Sequence, residues 1–254
     1  MMNSITKNKL ISVLSKILPI LFWLGVYEIF VFSVSNEYFL PHIWTVAVSL
    51  LGLIKTGKFY LVCLFTLLRV ITALLLGAAF GIVLGIFSAR YRVVFSVLNP
   101  FMTAVKATPV ASLIIVLWIL LSGDMLSIII ALFMVLPIVW QSAYNSFDTI
   151  DKGLSEVCDV FEVGAKYRFK ILYLPNLKKY LAPSIVTSVG LAWKSEIATE
   201  IIAYTKNSIG QLINDGKYEL DTPRVFAWTL VVIIFSVIFE GITKMFLRRL
   251  KYEP

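Results

Sequence analysis

The chain has 254 residues, is 59% hydrophobic and carries only 15% charged residues, with a mean hydropathy of +0.88. Soluble domains carry about 25% charge, so this composition excludes an ordinary soluble fold. The formal net charge of +8 sits on bases beside apolar runs, which makes it a topology signal rather than a nucleic-acid footprint.

The apolar runs approach the roughly 20 residues a helix needs to cross a bilayer, and no alternating barrel pattern is present, so the fold class is all-α with about six transmembrane helices. Lys7, Lys9 and Lys16 precede the first run, Ile17 to Val34. It is too long for the apolar core of a signal peptide and no A-x-A-like site follows, so it reads as an uncleaved first span. Glu28 inside it calls for a side facing protein or water. The patch Val46 to Ile54, beside Trp44, is too short to span and reads as an interfacial helix.

The second span runs from about Phe59 to Ser88 and contains Arg69. Gly77, Gly81 and Gly85 lie on one of its faces, where small residues let two helix backbones approach, either inside the bundle or at a dimer seam. Arg90 and Arg92 mark a turn. Asn99-Pro100 and Thr108-Pro109 then interrupt the chain before a short third span, Ala111 to Leu121. The fourth span, Met125 to Tyr144, contains Pro137 and is expected to kink.

Asp151 to Pro175 is the longest polar-bearing segment between apolar runs. Leu154, Val157, Phe161 and Ala165 fall on one helical stripe. Asp148 or Asp151 can cap its start, and Gly164 loosens its end. An interfacial helix resting on lipid is the plainest reading of these residues alone. The fifth span, about Leu181 to Tyr204, carries Lys194, Glu196 and Glu200, and the sixth runs from Val225 to Leu247.

Sixteen of the 23 bases flank one side of these spans and five the other. The positive-inside rule therefore places both termini and Asp151–Pro175 in the cytoplasm, in keeping with six crossings. Gly52 to Lys58 matches most of a phosphate-binding loop, but Phe59 stands where the magnesium-binding hydroxyl is needed and no strand precedes it. The single His42 has no neighbouring cluster of ligands, so no metal site and no Ser–His–acid site is expected. Cys63 and Cys158 form no C-x-x-C pair. Nothing here reads as an enzyme.

Asp151–Pro175 resembles the cytoplasmic EAA loop of binding-protein-dependent ABC import permeases. Glu156-Val157-Cys158 stands for Glu-Ala-Ala, and Ile171 with Tyr173-Leu174-Pro175 closes the pattern. Glu162 occupies the position where the family usually has Gly, and Gly164-Ala165 follows two residues later. Elsewhere, Thr66 to Arg69 with the glycine ladder, Asn99-Pro100, Thr108-Pro109-Val110, Trp118, Gly190 to Glu200 and Ile209-Gly210 resemble the nitrate/sulfonate/taurine branch, which includes permeases for thiamine precursors.

The resemblance implies a type I importer permease-like (MetI-like) fold in a prokaryotic plasma membrane. An N-terminal span and external segment over 1-58 would precede a permease domain over 59-250, with the coupling segment 151-175 inside it. It implies a dimer, a homodimer before a heterodimer, with a cytoplasmic ATPase and an extracytoplasmic substrate-binding protein. ATP is hydrolysed by the partner subunit, and this chain binds no cofactor. Leu154, Glu156, Val157, Phe161, Glu162, Gly164, Leu174 and Pro175 would meet the ATPase. The substrate expected from this branch is a small anion (sulfonate, taurine, nitrate) or a thiamine-precursor-like solute.

Ionisable groups within spans are candidate site residues, which makes Arg69, Lys194, Glu196 and Glu200 candidates for the translocation path. An internal ion pair with Arg69 that orders the bundle is the alternative. A channel or secondary carrier working without an ATPase is the rival class, and it would have no reason to keep an EAA-like helix.

Overall fold

The computed structural model describes residues 4–34, 36 and 39–249, without the side chains of 4–14, 16–17 and 248–249. Lys251, counted among the cytoplasmic bases, and Leu250 lie outside the described residues. Among the described residues the chain is helical and has no strand.

Eleven α-helices follow one another among the described residues: α1 (Ser4–Val34), α2 (Ile43–Ile54), α3 (Gly57–Arg90), α4 (Arg92–Ala107), α5 (Val110–Trp118), α6 (Gly123–Asp148), α7 (Lys152–Val160), α8 (Ala165–Arg168), α9 (Leu174–Ile202), α10 (Ile209–Tyr218) and α11 (Thr222–Arg249). A π-helical turn, Phe169–Tyr173, joins α8 to α9. Among the described residues three stretches are long and apolar enough to cross a membrane, namely Gly57–Arg90, Gly123–Asp148 and Thr222–Leu247. The pair α4 and α5, bent by 104° at Thr108-Pro109, makes a fourth if read as one broken span. Two further helices bring the candidate crossings to the six expected. These are α1, whose apolar part is Leu18–Val34, and α9, which has 29 residues but a heavier polar load.

Asn99-Pro100 does not interrupt the chain as expected, because Pro100 lies inside α4. Met102 packs with Leu136 and Trp140 of α6, with Phe95 and Leu98 against the same cluster. Packing on both sides of Pro100 carries the helix through the backbone hydrogen bond that proline removes.

The chain divides into two compact units. The first comprises Met1–Phe59 with Ile213–Leu230. Within it, Glu28 of α1 accepts from His42 at 2.5 Å and from the amide of Ile43 at 3.3 Å. The carboxylate thus sits at the N-terminus of α2, where unpaired amides favour negative charge. His42 therefore has an acidic partner 14 residues away that its sequence neighbours do not reveal. Tyr27 donates to the Pro41 carbonyl at 2.8 Å, and Phe59 stacks on Trp228 at 5.3 Å.

The second unit comprises Tyr60–Leu212 with Val231–Pro254. Here α3 lies against α6 along the glycine ladder. A Cβ on Gly77 would stand 2.9 Å from Val135, on Gly81 2.8 Å from Val139, and on Gly85 2.5 Å from Ala143. Only glycine permits this approach, and the ladder is filled from within the chain. Trp140 of α6 donates from its ring nitrogen to Ser88 of α3 at 2.9 Å, which satisfies the one polar atom of a buried indole.

Candidate functional site

Two regions of the second unit carry the candidate residues. The first is a buried polar clamp centred on Arg69, whose residue is only 6% exposed. Its guanidinium reaches Glu200 of α9 at 3.0 Å and Asp124 of α6 at 2.9 and 2.7 Å. It also donates to the backbone carbonyls of Lys206 at 3.0 Å and Asn207 at 3.4 Å. Glu200 is fully buried and satisfied on both oxygens: Thr66 donates at 2.7 Å and the Gly210 amide at 3.1 Å. The Ile209 amide in turn donates to Thr66 at 3.2 Å.

The turn after α9 is bent tightly around this clamp, with Tyr204 and Asn207 both at φ 52°. A Cβ on Gly210 would fall 2.4 Å from the Glu200 Cβ, so glycine is needed for the turn to close on the carboxylate. The rigid planar fork of arginine suits this arrangement, in which one side chain ties α3, α6, α9 and a turn together.

The four ionisable candidates divide. Arg69 and Glu200 meet, as the ion-pair alternative requires. Glu196 is fully buried one turn from Glu200, and among the described residues neither of its carboxylate oxygens has a hydrogen-bond partner. Ser127 stands close to Glu196, but its hydroxyl lies 3.3 Å from Thr205 and makes no hydrogen bond to the carboxylate. Lys194 faces the other way and is exposed.

The second region is Asp151–Pro175. Asp151 caps α7, accepting from the amides of Gly153 at 2.7 Å and Leu154 at 3.3 Å. Asp148, the other capping candidate, ends α6 instead. The helix stops at Val160, so the expected stripe is split. Leu154 and Val157 lie on α7, Phe161 closes it, and Ala165 begins α8. Cys158 is the buried residue of α7, while Leu154, Val157, Val160 and Phe161 are exposed, Phe161 by 76%. Glu156 is exposed beside them.

This short helix is fastened from below. Arg168 of α8 binds Asp159, and it donates to Ser155 at 2.5 Å. Asn176 at the start of α9 donates to the Ser146 carbonyl at 2.5 Å, and Phe147 stacks on Tyr173 at 5.3 Å. The apolar face of α7 is thus held outward on a rigid base.

Glu162, the residue at the usual glycine position, has φ 48°. The left-handed conformation costs a non-glycine residue about 1–2 kcal/mol, which gives that family preference a backbone cause here. Glu162→Gly removes this strain against glycine's own entropy cost, a net gain of roughly 0.5–1 kcal/mol. Amide exchange across 151–168 is expected to slow in Glu162→Gly and to stay unchanged in Glu162→Ala. Faster exchange in the glycine variant would contradict this assignment.

A family model described as "Binding-protein-dependent transport system inner membrane component" matches residues 81–252, well over half of the chain. The chain belongs to this family. It is a permease subunit of an ABC importer, a multi-pass inner-membrane protein whose relatives are transport permeases. Membership implies ATPase and substrate-binding-protein partners. The permease is 25% identical over 221 residues to a Bacillus subtilis (strain 168) protein named as an aliphatic sulfonates transport permease, SsuC, covering 86% of this chain and 78% of that one. It is 22% identical over 186 residues to a protein of Brucella melitensis biotype 1 named as an ABC transporter permease, covering 73% and 75% of the two chains. A chain from the inward-facing MetNI methionine ABC transporter superposes with a TM-score of 0.56 at 13% identity, covering 82% of the permease and 97% of that chain. This last likeness establishes the MetI-like fold.

Proposed function

We propose that the permease imports a small organic anion of the sulfonate class, and that a cytoplasmic ATPase drives it by gripping Asp151–Pro175. The observation that carries the coupling reading is the outward apolar face of α7: Leu154, Val157, Val160 and Phe161 stand exposed on a helix fastened to α8, beneath which α6 and α9 are tied together. A contiguous exposed apolar face on a rigid base is the form of a protein docking site. Glu156, at the edge of that face, supplies the charge for orientation. Gly164, Leu174 and Pro175 shape the return into α9.

The sulfonate class draws support from the name of the Bacillus subtilis relative. The excess of bases on one side of the spans supports cytoplasmic termini. In this reading two identical copies form the path, an extracytoplasmic protein delivers the solute, and ATP binds only the partner subunit. Closure of the ATPase pair then biases a two-state packed bundle through α7.

Proteoliposomes holding the permease, its ATPase and its binding protein are expected to accumulate ethanesulfonate only with ATP inside. Uptake that persists without the ATPase would instead establish a channel or secondary carrier.

A further inference from the structure

Where α3 and α6 end beside α7, they leave a cleft of about 460 Å³, the size of an ordinary small-molecule site. Its floor is apolar, made by Ile86 and Ala89 of α3 and by Ile150 just after α6. Phe147 and Tyr173, stacked on one another, form a wall. Its charged lining is two bases and no acid: Arg90, the last residue of α3, and Lys152, the first of α7. Among the described residues neither base has a carboxylate within ion-pair distance. Two hydroxyls complete the lining. Ser155 accepts from Arg168 and keeps its own hydrogen to donate, and Tyr173 offers a phenol. Every polar side chain in the cleft is thus a donor, and two of them are positive, which suits an anion.

The surface around the cleft identifies the kind of anion. Leu76, Ala79, Val83 and Phe87 are exposed and recur at helical spacing on the side of α3 away from the glycine ladder. Arg90 is exposed and continues the same line. An apolar track along a span, ending in a base at headgroup level, has the outline of a phospholipid, with the acyl chain on the track and the phosphate at the base.

Protein partners fit the cleft less well. On α7, Lys152 and Ser155 lie on the side opposite Leu154, Val157 and Phe161. An ATPase that grips the apolar face therefore leaves the cleft open. At the twofold axis of a homodimer the cleft would face its own copy, base against base.

We propose that this cleft holds the phosphate of an anionic phospholipid, gripped by Arg90 and Lys152. The guanidinium fork takes two phosphate oxygens and the ammonium a third, with Ser155 and Tyr173 as further donors. The lipid ties the end of the α3 span to α7. Its consequence rests on the coupling reading above: the lipid steadies the base from which α7 is presented, so anionic lipid strengthens ATPase docking.

Full-length permease in detergent, titrated with phosphatidylglycerol or phosphatidylcholine and read by native mass spectrometry, tests this. Wild type is expected to bind phosphatidylglycerol about tenfold tighter or more, because phosphatidylcholine carries a fixed cation beside its phosphate. Arg90→Gln and Lys152→Gln should each weaken phosphatidylglycerol binding about fivefold, and the double variant roughly twentyfold. Arg90→Lys, which keeps the charge, should stay within about threefold of wild type. Lys178→Gln removes an exposed base outside the cleft and should change binding by less than about twofold. Equal affinity of wild type for the two lipids overturns the proposal. So does unchanged phosphatidylglycerol binding in the double variant, and if that variant also loses the ATPase, the bases belong to the ATPase contact. A loss in Lys178→Gln equal to that in Arg90→Gln would reduce the effect to general surface charge and also overturns it. Displacement of the lipid by millimolar inorganic phosphate overturns it in favour of a free-anion site. The coupling reading fails separately: Phe161→Asp permease that keeps its ATPase sinks that reading and leaves the lipid preference standing.

Discussion

Arg69→Ala is expected to lower the stability of the permease by about 3–5 kcal/mol, the cost of stripping one partner from a buried ion pair. The variant leaves the Glu200 carboxylate, fully buried, without its cation, and leaves the Lys206 and Asn207 carbonyls without a donor. Thr66 and the Gly210 amide still donate to Glu200, but two neutral donors do not balance a charge in a low-dielectric interior. Little of the loss comes from Asp124, whose side chain is 69% exposed and solvated in any case. Arg69→Lys should recover only part, since an ammonium cannot reach a carboxylate on α9, another on α6 and two carbonyls at once. Thermal melting of the detergent-solubilised protein by size exclusion measures this. A midpoint for Arg69→Ala equal to wild type would show that the clamp does not hold the bundle.

Phe161→Asp is expected to abolish transport without unfolding the protein. Phe161 ends α7 with 76% of its surface exposed, so its removal costs the isolated permease little. Against an ATPase cleft it is the largest apolar side chain on the α7 face. A buried aromatic anchor at an interface is worth about 2 kcal/mol or more, which corresponds to roughly thirtyfold in ATPase affinity. Glu156→Lys should have the same direction of effect through charge reversal. Both variants are checked by ATP-dependent uptake alongside thermal melting. Uptake at wild-type level would remove α7 from the coupling path, and a collapsed melting midpoint would mean that α7 serves the fold instead.

The sequence carried more of the coupling segment than of the buried clamp, and the difference is one of range. The Asp151 cap acts over three residues, the Gly77, Gly81 and Gly85 ladder repeats once per helical turn, and the Thr108-Pro109 break is set by proline itself. Such local patterns are visible in the residues that form them. Lys194 and Glu196, two apart on a helix, had to point to different faces, and they do. By contrast, Arg69 finds Glu200 131 residues away and Glu28 finds His42 across a turn. Nothing near either residue announces its partner. The run of α4 through Pro100 is illegible in the sequence for the opposite reason: a local breaker is overridden by Met102 packing on Trp140, a tertiary effect. At Glu162 the departure from the family pattern was legible, but its meaning was not. Only the backbone shows that this position is left-handed.

The central claim is that Asp151–Pro175 is the handle by which an ATPase drives this permease. Co-purification of the cognate ATPase with the tagged permease tests it most directly. Wild type and Glu162→Gly are expected to retain the ATPase. A Val157→Asp, Phe161→Asp double variant that still elutes as a folded protein is expected to lose it. Full retention of the ATPase by that folded double variant would contradict the claim.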